Sequence, residues 1–173
     1  MGDPKRQKKQ YATPLSPWDK ERIDKESKLI KGYGLKSKKE LWKTETTLRK
    51  FRREARKLMA AVGKQADKES QQLLEKLQGL GLVDEESSIV DILRLDLEDV
   101  LSVRLQSVVY EKGLSRSMNE ARQMIVHGHI AIDDERITEP GYMVSEEEKE
   151  KVSFHEGSSY KDRINPQKVK EER

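Results

Sequence analysis

The stretch Arg104-Leu105-Gln106, then Gly113-Leu114-Ser115-Arg116-Ser117, Ala121-Arg122 and Ile125-Val126-His127-Gly128-His129-Ile130 reads as two short capped helices running into a β-hairpin. Asp96 stands as an N-cap with Asp99 three residues later, and Leu95 is placed to staple against Val100. Leu101, Leu105, Val108 and Val109 then form one buried stripe on a helix running to Gly113, the left-handed stop, with Leu114 as its hydrophobic partner. Val103 and Tyr110 fall off that stripe, so they mark either a second contact or plain exposure. Ser117 and Glu120 make a capping box for the next helix. Its Met118, Ala121 and Ile125 face inward, while Asn119, Arg122, Gln123 and Val126 face out. Gly128 ends it, Ile130 and Ile132 alternate as a strand, Asp133-Asp134 turns the chain, and Arg136-Ile137 begins the return. After Pro140-Gly141 and an acidic loop at 146–150, a last strand runs from Lys151 to His155.

Working outward, the preceding chain is helical but thinly apolar. An amphipathic helix spans about Thr46 to Val62, stopped by Gly63, with Leu48, Phe51, Ala55, Leu58, Met59 and Val62 on one stripe. Arg49, Lys50, Arg52, Arg53, Arg56 and Lys57 occupy the other side, and only Glu54 interrupts them. A solvated surface helix usually mixes both signs, so this face is a candidate for RNA contact. Shorter helices follow at 68–78, carrying Leu73, Leu74 and Leu77, and at 87–94, carrying Ile89, Val90, Ile92 and Leu93. The first 45 residues are basic and interrupted by Pro4, Pro14, Pro17, Gly32 and Gly34; 19–31 is a possible helix in an otherwise extended segment. The reading is therefore α+β: a basic extended segment over 1–45, a helical region over 46–99, a helix-helix-hairpin module over 100–156, and a polar tail over 157–173.

Composition narrows the function. Charged residues make up 39% of 173 and hydrophobic ones 34%, so any core is modest. There is no cysteine, which excludes disulfides and thiolate zinc sites, and three histidines make a histidine-rich metal site improbable. No apolar run approaches a membrane span, and the first residues lack the apolar heart of a signal peptide; the expectation is a soluble, cytoplasmic protein. A net charge of +3 hides a strong asymmetry. Residues 1–66 hold 20 Lys and Arg against 8 Asp and Glu, a net of +12, whereas the remaining 107 hold 15 against 24, a net of −9. Basic chemistry concentrated in one third suits a surface laid along phosphates.

Within the module, helix N-termini supply backbone N–H groups and a positive dipole end for phosphate. Ser115, Arg116 and Ser117 stand at such an end, Arg122 one turn on, Arg104 on the helix before, and His127 and His129 at the helix exit. The RNA-binding candidates are these seven with Asn119, Gln123 and the six cations at 49, 50, 52, 53, 56 and 57. For the serines and arginines the bland alternative is simple capping and surface charge; for the histidines it is a bond to a nearby carbonyl. No catalytic constellation, Gly-rich phosphate loop or cofactor motif is present in the sequence.

The ordered pattern Arg-Leu, Gly-Leu-Ser-x-Ser-x-x-x-Ala-Arg-x-x-Ile-x-x-Gly-His-Ile and a later Pro-x-Tyr, over 104–155, resembles the RNA-binding module named after small-subunit ribosomal protein four. The N-terminal part resembles the archaeal and eukaryotic form of that ribosomal protein. The matching pieces are Gly2-Asp3-Pro4-Lys5, Tyr33-Gly34-Leu35 through Lys39-Glu40-Leu41-Trp42, and Leu48-Arg49 through Arg53-Glu54-Ala55-Arg56. The resemblance implies a non-enzymatic primary binder that clasps a multi-helix junction of small-subunit rRNA, nucleates assembly and contributes to translational accuracy. It also implies that ribosomal protein five and other small-subunit proteins near the channel where messenger RNA enters are neighbours. It further implies a tail packed back on the N-terminal helices, with no membrane partner, small-molecule substrate or cofactor. The zinc bound by some bacterial members does not carry over, for want of cysteines, and the acidic turn Asp133-Asp134-Glu135 departs from the family's usual turns. An RNA-modifying enzyme such as a pseudouridine synthase would need a catalytic domain for which the residues before the module leave no room. A non-ribosomal assembly or quality-control factor of the same family is the alternative.

Overall fold

The computed structural model describes residues 9–160. Helix α1 (Lys20–Gly32) starts where the Asp19 carboxylate accepts from the Arg22 N–H. Helix α2 (Lys38–Ala60) is the longest element, beginning eight residues before the Thr46 start read from the sequence. Helix α3 (Lys64–Gly79) follows. A single 3₁₀ turn at Asp91–Leu93 leads to α4 (Leu97–Ser102) and α5 (Leu105–Glu111), and then to α6 (Met118–Val126). Strands β1 (Ile130–Ile132) and β2 (Glu135–Arg136) form the hairpin, and α7 (Glu146–Lys151) precedes β3 (Val152–Phe154). The sheet order is β2-β1-β3, antiparallel throughout, with Ile132 opposite Glu135 and Val152. The fold is α+β, mostly helical with one small sheet near the C-terminal end. Among the described residues no helix is long and apolar enough to cross a membrane.

Three apolar clusters hold these elements. The module core joins α5, α6 and the sheet through Leu105, Val108, Val109, Ala121, Met124, Ile125, Ile130, Val144 and Val152. A helical core gathers Leu48, Phe51, Ala55 and Leu58 of α2 with Leu73 and Leu77 of α3, and with Ile92, Leu95 and Val100. The third cluster, Leu35, Leu41 and Leu101, seats the turn after α1 on α4. Val100 and Leu101 thus tie α4 to two clusters at once. The helix expected at 19–31 is α1, but the rest of the segment read as extended over 1–45 also contributes the first turns of α2 and part of a core, because Leu35 and Leu41 pack together against Leu101 of α4.

Several sequence expectations fail for identifiable reasons. The 87–94 helix is only a 3₁₀ turn: the Asp91 carboxylate accepts from both the Ser88 N–H and hydroxyl, so a local turn outcompetes helix formation. The helix running from Asp96 to Gly113 breaks at Arg104, whose backbone is extended and bridges Met143. The Leu105 N–H donates to the Tyr142 carbonyl and the Val144 N–H to that of Val103, so the 142–144 return takes the groups a helix would have used. Val103 is consequently buried, and Tyr110 packs half-buried on the module core. The acidic loop at 146–150 is α7, which Ser145 and Glu148 open with a reciprocal capping box. Met118 is only half-buried, while Met124 takes the core position. Met59 and Val62, assigned to the α2 stripe, are exposed, because the helix ends at Ala60 and α3 turns away. Leu58→Ala is accordingly expected to cost about 2–5 kcal/mol in urea melts. Val62→Ser should stay within about 0.5 kcal/mol.

Candidate nucleic-acid interface

On α2, at about 100° per residue, Lys39, Lys43, Lys50, Arg53 and Lys57 fall within roughly 40° of one line, opposite the buried stripe. The ridge runs about 27 Å at 1.5 Å per residue. All five residues are exposed, and none has a partner among the described residues. Lys39 and Lys43 lie before the Thr46 start expected from the sequence; the helical period running back to Leu41 is the signal that includes them. The other three expected cations of α2 are partly engaged. Arg49 pairs with Glu45 at 2.5 Å. Arg52 donates to the Leu95 carbonyl and lies 3.7 Å from Asp96. Arg56 turns its Nε back to the Arg52 carbonyl.

The module's candidates divide sharply. Arg104 and Arg122, expected to face a polyanion, instead converge on one carboxylate. Arg104 Nη2 lies 3.2 Å from Glu40 Oε2, and Arg122 donates to both Glu40 oxygens at 2.6 and 3.0 Å. The Arg104 side chain is only 8% exposed, so it cannot lie on an outer binding face as it stands. Burial alone would raise the Glu40 pKa, but hydrogen bonds and charge from Arg122 and Arg104 outweigh it and hold the carboxyl below its ordinary range. Burial pulls Arg104 downward, partly offset by Glu40. Because the folded value of Glu40 is depressed, its stabilising contribution is complete above the unfolded value and fades as pH falls through the folded one. Thermal melts are expected to hold steady from pH 7 to 5 and drop below about pH 4, with a shallower acid decline in Glu40→Gln.

Gln106 completes this seam between the N-terminal helices and the module. Its side-chain NH₂ shares its two hydrogens among the carbonyls of Tyr33, Gly34 and Met118, all within 3.1 Å, and its oxygen accepts from Arg122. Gly34 has φ +57, and a Cβ there would stand 2.9 Å from both the Gln106 and Asn119 side chains, so the close approach needs glycine.

The expected phosphate cradle at the α6 N-terminus is partly occupied by its own chain. The Ser117 hydroxyl accepts from the Glu120 N–H, and the Glu120 carboxylate accepts from the Arg116 N–H, one residue earlier than a capping box requires. Ser115 is fully buried and donates to the Ser117 carbonyl. His129 is half-buried, 3.2 Å from the Ser158 hydroxyl, with Tyr160 set edge-on against its ring at 4.8 Å. That leaves the Arg116 side chain, Asn119, Gln123 and His127 exposed around α6. The expected packing of the tail beyond Tyr160, and the Gly2-Asp3-Pro4-Lys5 piece, lie outside the described residues.

Comparison with known proteins joins these two halves. Residues 103–149 match the model of the S4 domain family. Across 164 residues, 95% of this chain and 96% of the relative, it is 46% identical to small ribosomal subunit protein uS4 of Methanothermobacter thermautotrophicus. The chain belongs to the uS4 family. The uS4 protein of Ignicoccus hospitalis is similar too, 45% identical over 160 residues, covering 92% of this chain and 96% of that one. Membership of the uS4 family extends the likeness through α1–α3, whereas the S4 domain match alone begins at residue 103. The α2 ridge therefore falls within the span shared with uS4 relatives but outside the matched domain, and the Glu40 clamp links the two, since Arg104 and Arg122 lie inside that domain.

Proposed function

We propose that this chain is a non-enzymatic structural component of the small ribosomal subunit, binding its rRNA through the α2 ridge and the outer face of α6. The observation carrying this reading is a line of exposed cations on α2, bordered by the single carboxylate Glu54 and tied to the S4 module by Glu40. Helix geometry fixes the spacing of the charges, and the clamp fixes the angle between the two faces. Such a pair of surfaces fits a folded junction, recognised by shape and phosphate position more than by sequence. Arg49, Arg52 and Arg56 flank the ridge, while Arg116, Asn119, Gln123 and His127 supply the second face. Arg104, Ser115 and His129 act from within by holding that face in place.

The finer reading follows the family. The chain binds early to a multi-helix junction, nucleates assembly and contributes to translational accuracy. It lies beside ribosomal protein five, near the channel where messenger RNA enters, on ribosomes of the cytoplasm. Near end-to-end likeness to uS4 relatives supports this over a non-ribosomal factor sharing only the module. Quantitative mass spectrometry of mature small subunits should find one copy per particle. Presence only on precursor particles would replace this reading with that of an assembly factor.

A further inference from the structure

Where α2 meets the module there is a cavity of about 460 Å³, walled by Lys43, Thr47, Arg104, Arg122, Thr138 and Met143. Its lining includes three cations and two carboxylates, Glu40 and Glu139, leaving one net positive charge. That balance suits a phosphodiester, which carries a single negative charge. Lys43 belongs both to the exposed ridge and to the cavity wall, so a phosphate chain following the ridge arrives at its mouth. Lys43 and Thr138 have no partner among the described residues, while Arg104 Nη1 is buried without a hydrogen bond. Val100, Pro140 and Met143 give the same cavity an apolar share of wall. Arg104 and Arg122, both held by Glu40, also line this cavity.

We infer that this cavity receives one unstacked nucleotide of the bound RNA, with its phosphate at Lys43 and Thr138 and its base against the Arg104–Met143 side. The inference rests on the RNA-binding reading and gives it a specific pocket. It also separates two kinds of contact: the ridge supplies salt-dependent attraction, and the cavity supplies a fit that salt hardly changes.

The test uses the full chain, with 5′-AMP and inorganic phosphate as probes in heteronuclear NMR, beside RNA binding across a salt series. The variant Thr47→Phe fills the cavity from a half-buried helix position without removing a charge; Lys43→Gln removes the cation at the mouth. AMP is expected to shift resonances at 43–47 and 138–143, phosphate to shift mainly those near Lys43, and Thr47→Phe to abolish the AMP response. Thr47→Phe should also weaken binding to a junction RNA about tenfold, in the range of one lost base stack, with the salt slope unchanged. Lys43→Gln should weaken binding and flatten the slope by about 0.9. Absence of localised AMP shifts, equal shifts with phosphate alone, or shifts persisting in Thr47→Phe would overturn the inference. So would AMP binding blocked by Thr47→Phe with RNA affinity unchanged, which would mark a site for free nucleotides. Failure of the wild-type chain to bind junction RNA at all would instead remove the underlying RNA reading.

Discussion

Glu40→Gln is expected to destabilise the protein by about 3–5 kcal/mol, the cost of removing one partner from a buried ion pair. For a chain of this size that corresponds to a fall of about 6–20 °C in Tm. The reason is specific. Arg104 loses its counter-charge while its side chain stays 8% exposed, and Arg122 is left close beside it with the same sign. Glu40 is 23% exposed, so solvent softens the effect and the lower half of the range applies. Replacing the whole cluster, Glu40→Leu with Arg104→Met and Arg122→Met, should recover most of the loss, since an apolar set of similar volume carries no buried charge. Urea melts of the single and triple variants measure both. A single-variant loss under about 1 kcal/mol would show that the cluster behaves as a surface pair. Junction RNA affinity should fall in both variants, more than either melt explains, because neither holds the module at its native angle to α2.

Neutralising Lys50, Arg53 and Lys57 together with glutamine should flatten the slope of log affinity against log salt by about 2–3 units, near 0.9 per phosphate contact. The fold should barely notice, within about 0.5 kcal/mol per exposed site. The matched triple at Arg49, Arg52 and Arg56 should move the slope less. Arg49 already answers Glu45, and Arg52 holds the Leu95 carbonyl, so their loss costs contacts within the protein as well. An equal effect from both triples would spread the binding over the whole helix circumference and remove the special place of the ridge.

The residues that reveal themselves in sequence are those whose role is local. The turn at Asp133-Asp134, both with positive φ, the stop at Gly113 and the Ser117 cap follow from rules of spacing a few residues wide. The core stripe of α5 and most of that of α6 followed from the helical period. What stayed hidden depended on distant partners. Glu40 lies 64 residues from Arg104 and 82 from Arg122, so nothing near either arginine signals that it is already paired. A basic residue on a helix face reads as available until its counter-charge is placed. The break at Arg104 was equally remote in cause, since the 142–144 segment supplies the competing backbone bonds. By contrast, α7 was legible in Ser145 and Glu148, but the run of glutamates read as a solvated loop. At the α6 N-terminus two of the donors a phosphate could use, the Glu120 and Arg116 N–H groups, are taken up locally by Ser117 and Glu120.

The most direct test is competitive binding of the full chain to a small-subunit rRNA junction fragment against excess transfer RNA, over a salt series. Junction binding that persists under competitor, with a steep salt slope, is the result expected of a ridge and module held at a fixed angle. Equal displacement by transfer RNA would mean a general polyanion binder, and would contradict the claim that the clamped geometry selects a junction.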